Sequence, residues 1–322
     1  MRLNSPALIG TIAISALALA GCSSTAPAAE ETTGLSVIAS TNVYGSIAEA
    51  IGGDLITVTS LITSAAQDPH SYEASAQDQL ALSKADLVIE NGGGYDPFID
   101  TLLSAASSEA SVVNASEASG LLEGDEHSEE EHADEAATED DHEGHDHIEG
   151  FNEHVWYSFH GVEHVAEAIA EQLSALDADN AAVYEANLAD FTAEIETLEA
   201  TAEALHADTE GLGAAITEPV PLYLLEAAGF TNRTPEEFSE AIEEGTDVAP
   251  AVLAETLDLF DSGSVALLAY NSQTASSETE QVRAAAEENG VAIVEFTETM
   301  PDGADYVSWM TDNLSALSAA VK

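Results

Sequence analysis

Apolar positions along this chain fall into two alternations of strand-like and helix-like segments, with one long helical stretch between them. Residues 35–39 form a short apolar run that reads as a strand. Residues 43–51 repeat with helical spacing and stop at Gly52-Gly53, as a helix does when glycine follows its last turn. Residues 55–61 read as a second strand. A helix over 74–83, a strand over 86–90, a helix over 95–106 and a strand over 111–113 follow. The second half repeats the order. Strands are expected over 213–217, 265–269 and 291–294, with helices over 219–228, 235–244, 250–260, 274–289 and 305–320. Strands that alternate with helices predict α/β lobes with mostly parallel sheets.

Residues 155–176 turn helical, with Val162, Val165, Ala166, Ile169 and Leu173 on one face. Residues 178–208 then continue in Ala, Glu and Leu without a glycine or proline, carrying Val183, Leu188, Phe191, Ile195 and Leu198 as apolar members. At about 1.5 Å per residue, 30 residues span about 45 Å, enough to run the height of two lobes. The predicted fold is therefore α/β: two lobes, each a mostly parallel sheet flanked by helices, joined by one long helix. The expected boundaries are 35–177 for the N-terminal lobe, 178–210 for the linking helix and 211–322 for the C-terminal lobe.

Two segments break the pattern. At the N-terminus, Arg2 precedes an apolar stretch over 7–20 that is too short to span a bilayer. It ends in Leu19-Ala20-Gly21-Cys22, which resembles the bacterial lipoprotein signal, in which the cysteine is lipidated. Residues 1–21 are then a signal peptide and 22–34 a flexible tether. Cys22 is the only cysteine, so no intrachain disulfide, cysteine zinc site or catalytic cysteine is available. Lipidation implies an extracytoplasmic protein anchored to the cell membrane. The second break, 123–149, has no hydrophobic period and carries His127, His132, His142, His145 and His147 among acids. It is expected to be a mobile loop that captures metal weakly and in many modes.

Charge narrows the partners. Of 322 residues, 61 are acidic and 5 basic, a net charge of −56. Nucleic acid is excluded as a partner, because phosphate binding needs clustered Lys and Arg. Such self-repulsion fits adaptation to a saline or acidic surface environment, and salt or cations relieve it. Two histidine loops remain: Asp68-Pro69-His70-Ser71-Tyr72-Glu73 after a predicted strand, and Asn152-Glu153-His154-Val155-Trp156. Ligands in parallel sheets sit at the carboxyl ends of strands, where His70 falls. Imidazole with carboxylate suits a divalent transition metal. His160 and His164, spaced i and i+4, and His206 are expected on the surface. Gly92 to Gly94 lacks the lysine of a phosphate loop and reads as a turn.

The lipoprotein signal, the DPHSYE loop, the second histidine loop with its tryptophan, the His/acid tract and the long helix together resemble the metal-binding lipoproteins of ABC importers for zinc and manganese. The resemblance covers roughly residues 35–322. It implies two lobes joined by a rigid helix, with the metal held between them. It implies His70 and His154 as ligands, although Asn152-Glu153 stands where the family often has Asp-Pro. It implies Glu218 as the third ligand, in Thr217-Glu218-Pro219, and Glu298 as the fourth, in Phe296-Thr297-Glu298, where Glu replaces the usual Asp. Two histidines and two carboxylates lean toward manganese; the long His tract and the general affinity order favour zinc. Zn²⁺ is the expected metal and Mn²⁺ the alternative. The implied partners are a membrane permease with its ATPase, for a monomeric binding protein. A metallohydrolase is the competing class, but no HExxH is present. No enzyme activity is expected. A surface adhesin, as some relatives have been described, is a further alternative.

Overall fold

Two four-stranded sheets, every pairing parallel, form the framework of the computed structural model. It describes residues 34–67, 69, 70, 72–122, 148 and 150–322. Cys22, the signal peptide and tether, and His127, His132, His142, His145 and His147 lie outside the described residues.

The first sheet has the order β2-β1-β3-β4, from β1 (Leu35–Thr41), β2 (Ile56–Ile62), β3 (Leu87–Glu90) and β4 (Ser111–Asn114). Its helices are α1 (Asn42–Gly52), α2 (Ala76–Leu82), α3 (Phe98–Ala106), the short α4 (Ala115–Ala118) and α5 (Phe159–Leu176). β3 is buried at all four positions, as expected of an apolar run covered on both faces. Ser75 caps α2 by accepting from the backbone of Gln77 and Asp78, and the Asp78 carboxylate reaches back to the Ser75 amide.

The second sheet has the order β6-β5-β7-β8. Between the sheets runs α6 (Ala181–Thr209). The second lobe then consists of β5 (Gly213–Ile216), α7 (Leu222–Ala227), β6 (Thr231–Asn232), α8 (Glu236–Glu243), α9 (Pro250–Asp261), β7 (Leu267–Asn271), α10 (Ser277–Asn289), β8 (Ala292–Phe296) and α11 (Tyr306–Ala320). Only β6 and α4 were absent from the sequence reading. A two-residue strand and a single helical turn are too short to show a period. The expected strand 265–269 lies two residues later, at Leu267–Asn271.

α6 has 29 residues, about 44 Å at the usual helical rise. Its buried side chains are Tyr184, Phe191, Ile195, Leu198, Ala202, Leu205 and Thr209, an i+3/i+4 stripe from Phe191 onward. The stripe packs against α1 and α5 of the first lobe and α7 and α11 of the second. One hydrophobic cluster therefore runs through both lobes, from Val37 and Ile89 to Ile216 and Phe296. Direct bonds also cross the junction. The Tyr306 hydroxyl donates to the Trp156 carbonyl and the Tyr157 hydroxyl to the Thr297 carbonyl, each at 2.7 Å. Asn42 and Met300 exchange two bonds, of 2.9 and 3.1 Å. Among the described residues, no helix is long and apolar enough to cross a membrane.

Candidate metal centre

The carboxyl ends of both sheets open into the same cleft. The loop after β2 carries His70. The irregular segment before α5 carries His154 and Trp156. Thr217 and Glu218 follow β5 directly, and Thr297 and Glu298 follow β8. This is the geometry expected of ligand sites in parallel sheets.

His154 is fully buried. Its Nδ1 lies 2.8 Å from Asn152 Oδ1, which also accepts from the His154 amide at 3.1 Å. An amide oxygen can only accept, so Nδ1 carries the proton and the Nε2 lone pair faces the cleft. Asn152 thus holds the ring as the outer partner of a metal-binding histidine does. Asn152 is itself tied across the cleft: its Nδ2 donates to the Pro219 carbonyl at 3.1 Å, and its carbonyl accepts from the Tyr223 hydroxyl at 2.9 Å. Trp156 and Tyr95 pack edge-on against the His154 ring, with centroids 5.1 and 5.8 Å away. Tyr95 also backs His70, at 4.8 Å.

One donor atom each from His70, His154 and Glu298 lie within 4.8 Å of one another. Glu298 is 3% exposed. Its Oε1 accepts from Asn271 at 2.8 Å and its Oε2 from the Tyr95 hydroxyl at 3.2 Å. Gln273 Oε1 accepts from the Glu298 amide at 2.6 Å and fixes the loop. Three of the four residues expected as ligands are therefore brought together.

Glu218 is buried on the same wall, 2% exposed, and its Oε2 accepts from the Thr274 hydroxyl. It falls in neither of the donor groups that the described residues form. Beside Glu298, one further acid lies close to the histidines, and the sequence does not mark it out. Glu243, the last residue of α8, places Oε1 3.2 Å from His70 Nε2 and 3.4 Å from His154 Nε2. It also groups with His70 and Glu153.

The electrostatics follow from burying three acids together. Burial raises the pKa of Glu218 and of Glu298, and the charge of Glu243 raises both further. For Glu298, His154 and His70 pull the other way. At His70 burial lowers the pKa, but the Glu243 hydrogen bond and the charges of Glu243, Glu298 and Glu153 outweigh it and bring it to about 9. The cleft is thus a strongly electronegative, water-poor pocket facing two imidazoles, a setting that favours a dication. His160 and His164 stack edge-on outside the cleft, 4.6 Å apart, and His206 is exposed in the last turn of α6.

A two-lobed α/β fold with its cleft at the strand ends of both sheets defines a solute-binding type of architecture. The chain belongs to the family described as zinc-uptake complex component A, periplasmic, whose model matches residues 37–320. It is 29% identical over 203 residues to the manganese ABC transporter substrate-binding lipoprotein PsaA of Streptococcus anginosus, covering 58% of each chain. It is 28% identical over 191 residues to the iron ABC transporter substrate-binding lipoprotein MtsA of Streptococcus pyogenes serotype M1, covering 57% of this chain and 55% of the relative. The chain thus matches less than two thirds of the length of these relatives. Among solved structures, the periplasmic zinc-binding protein TroA of Treponema pallidum superposes with a TM-score of 0.70 at 18% identity, over 89% of this chain and 99% of that one. That likeness shows the shared fold.

Proposed function

We propose that this protein is an extracytoplasmic solute-binding lipoprotein that captures a divalent transition metal between its lobes and delivers it to an ABC permease with its ATPase. The observation that carries the reading is the Asn152–His154 pair, which turns a buried imidazole lone pair toward His70 and Glu298. His70, His154 and Glu298 are three metal donors. The fourth comes from the acids of the second lobe, where Glu218 is the residue that the family resemblance indicates. The metal is cargo, and the protein is a carrier rather than an enzyme. Burial of His154 and Glu298 supports this, because a hydrolytic metal needs an open coordination position for water and substrate.

Zinc is the favoured cargo and manganese the alternative. The two-His, two-carboxylate set accepts both, and zinc binds more tightly at a given N/O site. The relatives are named for manganese and iron, and the structural neighbour for zinc. Cys22 supplies the lipid anchor, the five tract histidines capture metal weakly, and the carrier acts as a monomer. The test is calorimetric titration of the metal-stripped protein with Zn²⁺ and Mn²⁺, with and without residues 123–149. One tight zinc site that survives the deletion and disappears in His154→Ala supports the reading. Tight sites lost with the deletion, or retained in His154→Ala, contradict it.

A further inference from the structure

Outside the cleft, the first turns of α5 carry two histidines that metal capture between the lobes leaves without a role. His160 and His164 are spaced i and i+4, which puts both side chains on one face of the helix. Their ring centroids lie 4.6 Å apart, with the rings nearly perpendicular at 79°. His160 is exposed and the His164 side chain is 42% exposed, so neither ring belongs to the core.

That separation is one that a shared metal sets. A metal–nitrogen bond of about 2.0–2.1 Å puts an imidazole centroid about 3.2 Å from the ion, so two rings at octahedral or tetrahedral angles have centroids about 4.5–5.2 Å apart. His164 is also prepared as a ligand. Its Nδ1 lies 3.3 Å from Glu167 Oε2, less than one turn further along the helix. A carboxylate only accepts, so Nδ1 carries the proton and Nε2 keeps its lone pair. The order His160-Gly161-Val162-Glu163-His164 is one in which zinc-binding helices place two histidines with an acid between them.

A helix N-terminus repels a cation, but acids surround this one. Partial burial raises the Glu163 pKa, and the charges of Glu199, Glu196 and Glu167 add to this while that of His160 opposes it. A groove of about 320 Å³ beside the pair is lined by His160, Glu199, Glu203 and His206. Tyr223 lines it too, and its hydroxyl donates to the Asn152 carbonyl, so the groove adjoins the segment that carries His154.

We propose that His160 and His164 chelate a late divalent transition metal, Ni²⁺, Cu²⁺ or Zn²⁺, as an accessory site separate from the cleft. The two imidazoles are its protein ligands, because no other histidine or acid of the described residues joins the pair in a donor group of three. Water fills the remaining positions, and the acids of α5 and α6 contribute charge. An ion held at two points on the surface leaves far more readily than one held by four buried donors. The site therefore suits brief capture. It selects against Mn²⁺, the weakest binder of the divalent series and one that prefers oxygen ligands. The assignment does not depend on which metal the cleft carries.

The test uses the full-length protein with the cleft first filled by Zn²⁺. Ni²⁺ is then titrated, and acylation of each histidine by diethyl pyrocarbonate is read by peptide mass spectrometry, which separates this pair from the histidines of residues 123–149. His160 and His164 should become protected together, with one midpoint, while His206 stays reactive. Mn²⁺ should protect neither. Fixing the second imidazole beside the first makes its bond intramolecular, so His164→Ala should move the His160 midpoint to at least about tenfold higher Ni²⁺. His206→Ala, and deletion of residues 123–149, should leave that midpoint unchanged, and melting temperatures check that each variant folds. Absence of protection at His160, protection that persists unchanged in His164→Ala, or protection that is lost with His206 or with residues 123–149 would overturn the chelate.

Discussion

The hydroxyl of Tyr95, in the first lobe, donates to Oε2 of Glu298, in the second, at 3.2 Å. The Tyr95 ring also backs His70, so one side chain braces a histidine and aims the acid opposite it. Burial holds the Tyr95 pKa well above the ordinary value, and the charge of Glu298 adds to this, so the hydroxyl remains a donor at any working pH. Tyr95→Phe keeps the ring and removes the bond. It should weaken zinc by about tenfold, the lower end for a lost outer partner, with little change in melting temperature. Unchanged affinity would show that Glu298 needs no such guide.

Metal binding should be proton-linked. His70 has a raised pKa of about 9, so below that pH it holds a proton that the metal must displace. Glu218 and Glu298, raised in the same direction, add to the competition as pH falls. Zinc affinity should therefore drop by at least about tenfold per pH unit below pH 9. Titrations at pH 6, 7 and 8, corrected for buffer protonation, check this. A flat profile would contradict the charged cleft described above.

Away from the cleft, Glu90 gives a stability prediction. Burial raises its pKa to about 7, with the charges of Asp96, Asp100 and Glu117 adding to it and the Asn114 hydrogen bond opposing. The folded carboxyl keeps a proton that the unfolded chain loses near pH 4.5. Stability should fall as pH rises from about 4.5 through 7, because the native state binds more protons there. Glu90→Gln can keep accepting from Asn114, which lies 2.9 Å away. It should stabilise the protein at pH 8 by roughly 2 kcal/mol and flatten that part of the pH profile. Equilibrium urea unfolding at pH 5 and pH 8 measures both.

Trp156 offers an optical reporter. Its ring centroid is 5.1 Å from that of His154, whereas Trp309 packs on Tyr157 away from the histidines. Zinc at the cleft should change tryptophan emission in the wild type and in Trp309→Phe, and leave it unchanged in Trp156→Phe. A response that survives Trp156→Phe would place the metal elsewhere.

The fold was legible because its strands are short apolar runs with helix-stop glycines between them, and because α6 contains no helix breaker. His154 and Glu298 were reached through the family resemblance, carried by His154-Val155-Trp156 and by Phe296-Thr297-Glu298. Glu243 was not. It lies in an acid-rich amphipathic segment beside Glu236, Glu237, Glu240 and Glu244, and no period along the sequence tells which of these faces the cleft. The answer depends on where α8 docks, which is a tertiary fact. Glu218 was reached through the family resemblance and its place at the end of β5, where the structure buries it with the Thr274 hydroxyl donating to its carboxylate.

The most direct measurement is anomalous scattering at the zinc edge from crystals of the zinc-loaded protein. One full peak is expected between the two histidine loops, within bonding distance of His70, His154 and Glu298. Anomalous peaks confined to residues 123–149, with none between the two histidines, would contradict metal capture in the cleft.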